Sequence, residues 1–234
     1  MDTRLVAWAR GVKARRRHAG GRAARIPVLW LFTDGERCPD PRGAVAALPR
    51  RLCGVVFRHD GVPGRAALAR ALARQCRRLA IPFVVAGDAR LAAATGAGVH
   101  LRGGRPPGGQ LRVPKAPRPH AMVTSSAHTV AELRRARMAG ADAVFLSPAL
   151  PTRSHPGAPA LGVVRWAALA GRSPRHARPG GQVAVLALGG VDGRQARRLP
   201  RWCGGAGAIG ALLPGTGLSS VAPQPQCFAI AISP

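Results

Sequence analysis

Eight short apolar runs recur along the chain, at 27–32 (PVLWLF), 54–57 (GVVF), 82–85 (PFVV), 98–101 (GVHL), 120–124, 143–146 (AVFL), 183–188 and 208–212. Each is too short to build a helix face, and most are closed by turn-forming or charged residues, a pattern that predicts buried strands. Between the runs the period changes. Across 65–80, Ala67, Leu68, Ala71, Leu72, Cys76 and Leu79 recur at helical intervals, and shorter helical patterns stand at 90–94, 130–139, 163–170 and 194–199. Eight strands, most of them followed by a helix, predict an α/β fold, a TIM (β/α)8 barrel rather than an open doubly wound sheet.

Three stretches fall outside that rhythm. Residues 1–26 include VKARRRHAGGRAAR, whose charge and glycine pair predict a basic N-terminal extension, mobile or partly helical and outside the core. The barrel is expected over 27–213. Within it, 102–119 is so rich in Gly and Pro that it has room for a very short helix at most. Residues 214–234 show no helical period, so an irregular C-terminal tail is expected where an eighth helix normally closes the barrel. Either that helix is missing, leaving one face uncovered, or another segment takes its place.

Composition changes this picture little. The formal charge of +27 raises the question of nucleic acid. Yet the charge is carried almost entirely by arginine, with lysine only at 13 and 115, and aromatic residues do not alternate with the basic runs. Nucleic acid is therefore not expected as the ligand, and oligomeric state is left open. No apolar stretch is long enough to span a membrane, and the early arginines break any secretory signal, so a cytoplasmic protein is expected. Cys38, Cys53, Cys76, Cys203 and Cys227 are scattered and without a C-x-x-C pair, which predicts free thiols rather than zinc or redox chemistry.

In a barrel of this kind functional residues gather where the strands end. Gly189 and Gly190 close the seventh run and Ile209 and Gly210 lie in the eighth, so backbone N–H groups near a helix start are expected to approach a phosphate. Taken alone, a glycine pair after a strand is more often a tight turn. Ser126 and His128, two residues apart, are expected on one face.

The block FLSPALPTRSHPGAPALG at 145–162, with LALGGV at 186–191, GAIGALL at 207–213, SAHT at 126–129 and GVHL at 98–101, resembles thiamine phosphate synthases and their thiazole tautomerase relatives. The resemblance implies a TIM barrel, Mg2+, and two small phosphorylated substrates: a hydroxymethylpyrimidine diphosphate and a thiazole phosphate, joined with loss of pyrophosphate. It assigns Arg58 and Ser126 to the diphosphate and Thr152, Ser154, Gly189, Gly190, Ile209 and Gly210 to the thiazole phosphate. Asp88 matches a Mg2+ ligand. His155 stands where the family carries a diphosphate lysine, with Arg153 beside it as a replacement cation. Asp60 replaces a second such lysine, and after Leu101 the sequence RGGR stands where a second metal carboxylate is expected. Arg102 and Arg105 then supply fixed charge in place of metal charge.

These departures all fall on the diphosphate half. They keep two further readings open: a thiazole tautomerase with His128 as its acid/base, and a non-catalytic phosphate-binding relative.

Overall fold

A computed structural model describes residues 1–19, 22–105, 122–152, 157, 159–171 and 183–215. Eight parallel strands close into a barrel in sequence order: β1 (Leu29–Phe32), β2 (Cys53–Phe57), β3 (Phe83–Ala86), β4 (Gly98–Leu101), β5 (Val123–Ala127), β6 (Ala143–Leu146), β7 (Ala184–Leu188) and β8 (Ala206–Ala208). Parallel strands are covered on both faces, which is why they read as unbroken apolar runs. Trp30, Phe32, Val56, Val84, Phe145 and Leu186 fill the interior. Large and small residues alternate there: Trp30 and Phe145 meet edge-on at 5.7 Å, and a Cβ on Gly54 would lie 2.7 Å from the Trp30 ring.

Two strands depart from expectation. The fifth begins at Val123 and extends through the polar Ser125 and Ser126, because Val123 pairs with Val99 and Ser126 with Phe145. The eighth stops at Ala208, and Gly210–Leu212 coil into a single 3-10 turn.

The helices are α1 (Thr3–Ala19), α2 (Arg42–Ala46), α3 (Arg65–Arg78), α4 (Ala89–Thr95), α5 (Val130–Met138) and α6 (Gly162–Gly171). On α3 the buried face is Ala69, Leu72, Ala73 and Cys76, a stripe at i, i+3, i+4 and i+7 turned away from the expected Ala67. Asp88 and Thr129 cap α4 and α5, accepting from the backbone N–H groups of Leu91 and Glu132. After β7 the expected helix is reduced to a 3-10 turn, Gln195–Arg198, which Pro200 follows closely.

The N-terminal extension is not outside the core. It forms α1, on which Leu5, Val6, Ala9 and Val12 are buried, in one cluster with Leu199, Cys203, Ala206 and Leu212. Asp2 ties it down: its carboxylate accepts from Arg4 N–H, Leu5 N–H and, at 2.7 Å, Gly193 N–H. Its own N–H donates to the Ala211 carbonyl. At the far end the Arg16 guanidinium donates to the Gly204 carbonyl at 2.7 Å, and burial pulls its pKa down to about 10. The helix thus lies over the turns flanking β8, where an eighth helix normally closes a barrel of this kind. Among the described residues none forms a helix long and apolar enough to cross a membrane.

Candidate active site

The C-terminal strand ends form two rims of different chemistry. On the β1–β4 side Arg58, one residue past β2, donates from Nε to the Thr33 carbonyl and from a terminal nitrogen to Asp34 at 3.0 Å. Its guanidinium lies over the Phe32 ring, 5.9 Å from the centroid. Burial lowers the Arg58 pKa, against the opposing pull of Asp34 and Asp60. Asp34 is itself pushed up by burial, but the N–H groups of Arg37 and Glu36 and the Arg58 charge outweigh this and hold it below its ordinary value.

Beneath Arg58 lies His100 on β4, buried, with its Nδ1 2.8 Å from the Thr124 hydroxyl and its ring 5.5 Å from that of Phe32. Burial, and then the charges of Arg58 and Arg102, drive its pKa down to about 3. It is a neutral group under the mouth. A cavity of about 210 Å³ opens here, lined by Gly87, His100, Leu101, Arg102 and Arg105. A larger hollow of about 450 Å³, bordered by Arg4, Gly193, Arg194 and Arg197, lies where α1 meets the turn after β7 and shares no residue with the mouth.

Arg65, the first residue of α3, is a functional candidate that sequence reasoning missed. Its guanidinium donates to the Arg58 carbonyl (3.2 Å), the Ala86 carbonyl (3.0 Å), Asp88 (2.9 Å) and Asp60 (3.5 Å), and it lies over the Phe57 ring. No local signal finds it, since its partners come from two separate segments of chain, 57–60 and 86–88. Arg102 closes the set from β4 by pairing with Asp60, its guanidinium resting against Gly87, where a Cβ would come within 3.2 Å.

Asp88 is the carboxylate expected to hold Mg2+. One of its oxygens accepts from Leu91 N–H at 2.8 Å and the other from Arg65. Asp60 spends one oxygen on Arg65 and the other on Arg102. Mg2+ takes hard oxygen ligands in near-octahedral array, commonly one or two carboxylates plus substrate phosphates, and both carboxylates of this rim are already neutralised by guanidinium groups. The donor set does not fit the ion.

On β5, Ser126 and His128 turn to different neighbours. The Ser126 hydroxyl accepts from Gly103 N–H at 3.4 Å, where the RGGR turn folds over the end of β5. His128 lies beyond the strand with its Nδ1 3.0 Å from the Ser147 carbonyl. A carbonyl only accepts, so that nitrogen carries the proton and Nε2 is the acceptor of the neutral ring.

The opposite rim is built from backbone. After β6 the chain lies across the end of β7, with Ala149 N–H donating to the Leu188 carbonyl and Leu150 N–H to that of Gly189. This brings the Thr152 segment against the glycine pair. Gly189 and Gly190 have φ of +91° and +66°, and a Cβ on Gly190 would sit 2.2 Å from the Pro151 carbonyl oxygen. The pair therefore permits both a left-handed turn and a close approach. The expected open helix start is absent: Asp192 accepts from Arg194 and Gln195 N–H and so occupies the donors at the start of the 3-10 turn. Ile209 and Gly210 follow β8 on the adjoining strand end, since Leu188 pairs with Gly207. Arg153, Ser154 and His155 lie outside the described residues.

Comparison with known proteins agrees with this geometry. The family profile described as thiamine monophosphate synthase matches residues 32–209. A thiamine-phosphate synthase from Geobacillus thermodenitrificans is 33% identical over 174 residues, 71% of this chain and 69% of that protein. The thiamine biosynthesis bifunctional protein ThiED from Geobacter sulfurreducens is 30% identical over 169 residues, 71% of this chain but 32% of its own greater length. The solved thiamine phosphate pyrophosphorylase from Pyrococcus furiosus superposes with a TM-score of 0.59 at 20% identity, covering 82% of this chain and 89% of that one, a likeness of fold. By the extent of these matches, the chain belongs to the thiamine monophosphate synthase family.

Proposed function

We propose that this protein is a thiamine phosphate synthase, joining a hydroxymethylpyrimidine diphosphate to a thiazole phosphate with release of pyrophosphate. The observation that carries the reading is the pairing of two anion-receptive rims across one barrel mouth, guanidinium on β2–β4 and glycine backbone on β6–β8. A reaction between two anionic substrates asks for such a division.

In the joining step the bond from the pyrimidine methylene carbon to the diphosphate oxygen breaks, and the oxygen leaves with the electron pair. The thiazole nitrogen then forms the new bond to that carbon. Arg58 and Ser126 are the groups we assign to the departing diphosphate, together with Arg153 and His155. Charge-assisted hydrogen bonds from Arg58 stabilise the leaving group as its charge develops. Thr152, Ser154, Gly189, Gly190, Ile209 and Gly210 are assigned to the thiazole phosphate. Holding the two substrates in register supplies much of the remaining acceleration. The step moves no proton, and His128 has no part in it. Mg2+ is given no ligand set, because the oxygens of Asp88 are already engaged.

The test is an assay of the purified protein with both substrates. Thiamine phosphate and pyrophosphate forming in equal amounts is the expected result, and failure to form either, with substrate binding intact, would refute the reading.

A further inference from the structure

The β2–β3 mouth holds two carboxylates with a cation already between them. Arg65 contacts Asp88 through one terminal nitrogen and Asp60 through the other, and its remaining bonds run to the carbonyls that end β2 and β3. Its side chain is 17% exposed, so it is fixed by the fold rather than free at the surface. A planar guanidinium suits this seat, since it offers several donors in a rigid fork where an ammonium offers a point charge.

Three neighbouring features agree with a fixed-charge site. Asp60 is drawn into the cluster by Arg102 as well as Arg65. Position 87 is glycine at φ +68°, and a side chain there would meet the Arg102 guanidinium at 3.2 Å. His100, directly below, is held neutral by burial and by Arg58 and Arg102, so the positive charge of the mouth is carried by its guanidinium groups and not by the imidazole underneath.

Resting on the synthase reading above, we propose that Arg65 takes the seat of a divalent cation between Asp60 and Asp88, so that the substrate's diphosphate is held by Arg58 and Arg102 without metal. Arg65 is a positioning residue. It neutralises the two carboxylates, which would otherwise repel the diphosphate, and it fixes the strand ends from which Arg58 projects. Arg102, 58% exposed, exchanges its bond to Asp60 for one to a diphosphate oxygen.

The experiment is calorimetric titration with inorganic pyrophosphate, in EDTA and in excess magnesium, together with Mn2+ binding followed by electron paramagnetic resonance. The wild-type protein should bind pyrophosphate equally in both media to within about threefold, and Arg102→Ala should weaken binding about tenfold in both. Arg65→Ala should acquire a Mn2+ site and a magnesium requirement that the wild type lacks. Asp60→Asn, a change at a half-exposed side chain outside the hydrophobic core, should keep or tighten pyrophosphate binding in EDTA. Pyrophosphate binding by the wild type only with magnesium, stoichiometric Mn2+ uptake by the wild type, or loss of binding in Asp60→Asn would each overturn the proposal, even if Arg65→Ala proves too unstable to measure. Product formation from both substrates is assayed on the same preparation. Product with magnesium-only pyrophosphate binding overturns the guanidinium site alone, whereas absence of product with metal-free binding intact overturns the synthase reading.

Discussion

Replacing Leu5 with alanine tests whether α1 is a structural wall or a peripheral arm. The Leu5 side chain is fully buried and belongs to the same cluster as Leu199, Cys203 and Leu212. Removing a buried leucine to alanine costs about 2–5 kcal/mol, since the lost transfer energy is joined by a cavity term where neighbours cannot collapse. The neighbours here are anchored independently: Asp2 holds Gly193 and Ala211 to the helix start, and Arg16 holds Gly204 at its end. Little collapse is therefore expected, and about 3 kcal/mol is the working figure. For a chain of this size each kcal/mol lowers Tm by roughly 2–4 °C, so Leu5→Ala should melt about 6–12 °C below wild type. Urea denaturation followed by circular dichroism gives the free energy, and thermal melts give the shift. A loss under about 0.5 kcal/mol, the ordinary effect of a surface change, would refute the account of α1 as the segment that closes the barrel.

Three further outcomes are expected. His100 has a folded pKa of about 3 against an ordinary value of 6.5, so below pH about 6.5 the unfolded chain takes up a proton that the fold refuses; this contribution is full above that pH and falls by about 1 kcal/mol per pH unit as pH drops towards 3. Replacement by glutamine, which can still bond Thr124, should flatten the stability profile relative to wild type between pH about 6.5 and 4.5, and parallel profiles would contradict the assignment. Gly190→Ala meets both a left-handed φ and a backbone oxygen at 2.2 Å, so it should destabilise by well over 1 kcal/mol in urea titration, with wild-type stability as the disproof. Arg58→Ala removes a charge-assisted donor from the diphosphate rim, and kcat/KM should fall about 10- to 100-fold; an unchanged value would take Arg58 out of the site.

The barrel is legible in the sequence because strands buried on both faces must be continuously apolar, and runs such as GVVF and GVHL have no other use for such residues. Legibility fails where polar residues enter the sheet. Ser125 and Ser126 lie in β5 because their hydroxyls find Gly104 and Gly103 N–H in the turn after β4, a pairing that needs the fold to be known. It fails again in α1, where Leu5, Ala9 and Val12 carry a narrow helical stripe among arginines whose charge dominates the composition. The glycine pair at 189–190 is legible as a strand end. Its main physical reason, the passage of the post-β6 chain within contact distance of Gly190, is tertiary.

The β2–β4 rim is a set of mutually dependent residues. From the RGGR turn after β4, Arg102 reaches back over the end of β3, and glycine at 87 is the residue that leaves it room. Its charge there would stand unbalanced beside Arg58 were Asp60 not present to take it. Asp60 in turn would add negative charge next to Asp88, and Arg65 bridges the two. Introducing a carboxylate after β4 should therefore not by itself create a metal site, since Arg102 and Arg65 are at hand to pair with it. Positions 60, 65, 88 and 102 are coupled through shared hydrogen bonds, with glycine at 87 leaving room for the last, and couplings of that kind are the ones for which single substitutions do not add.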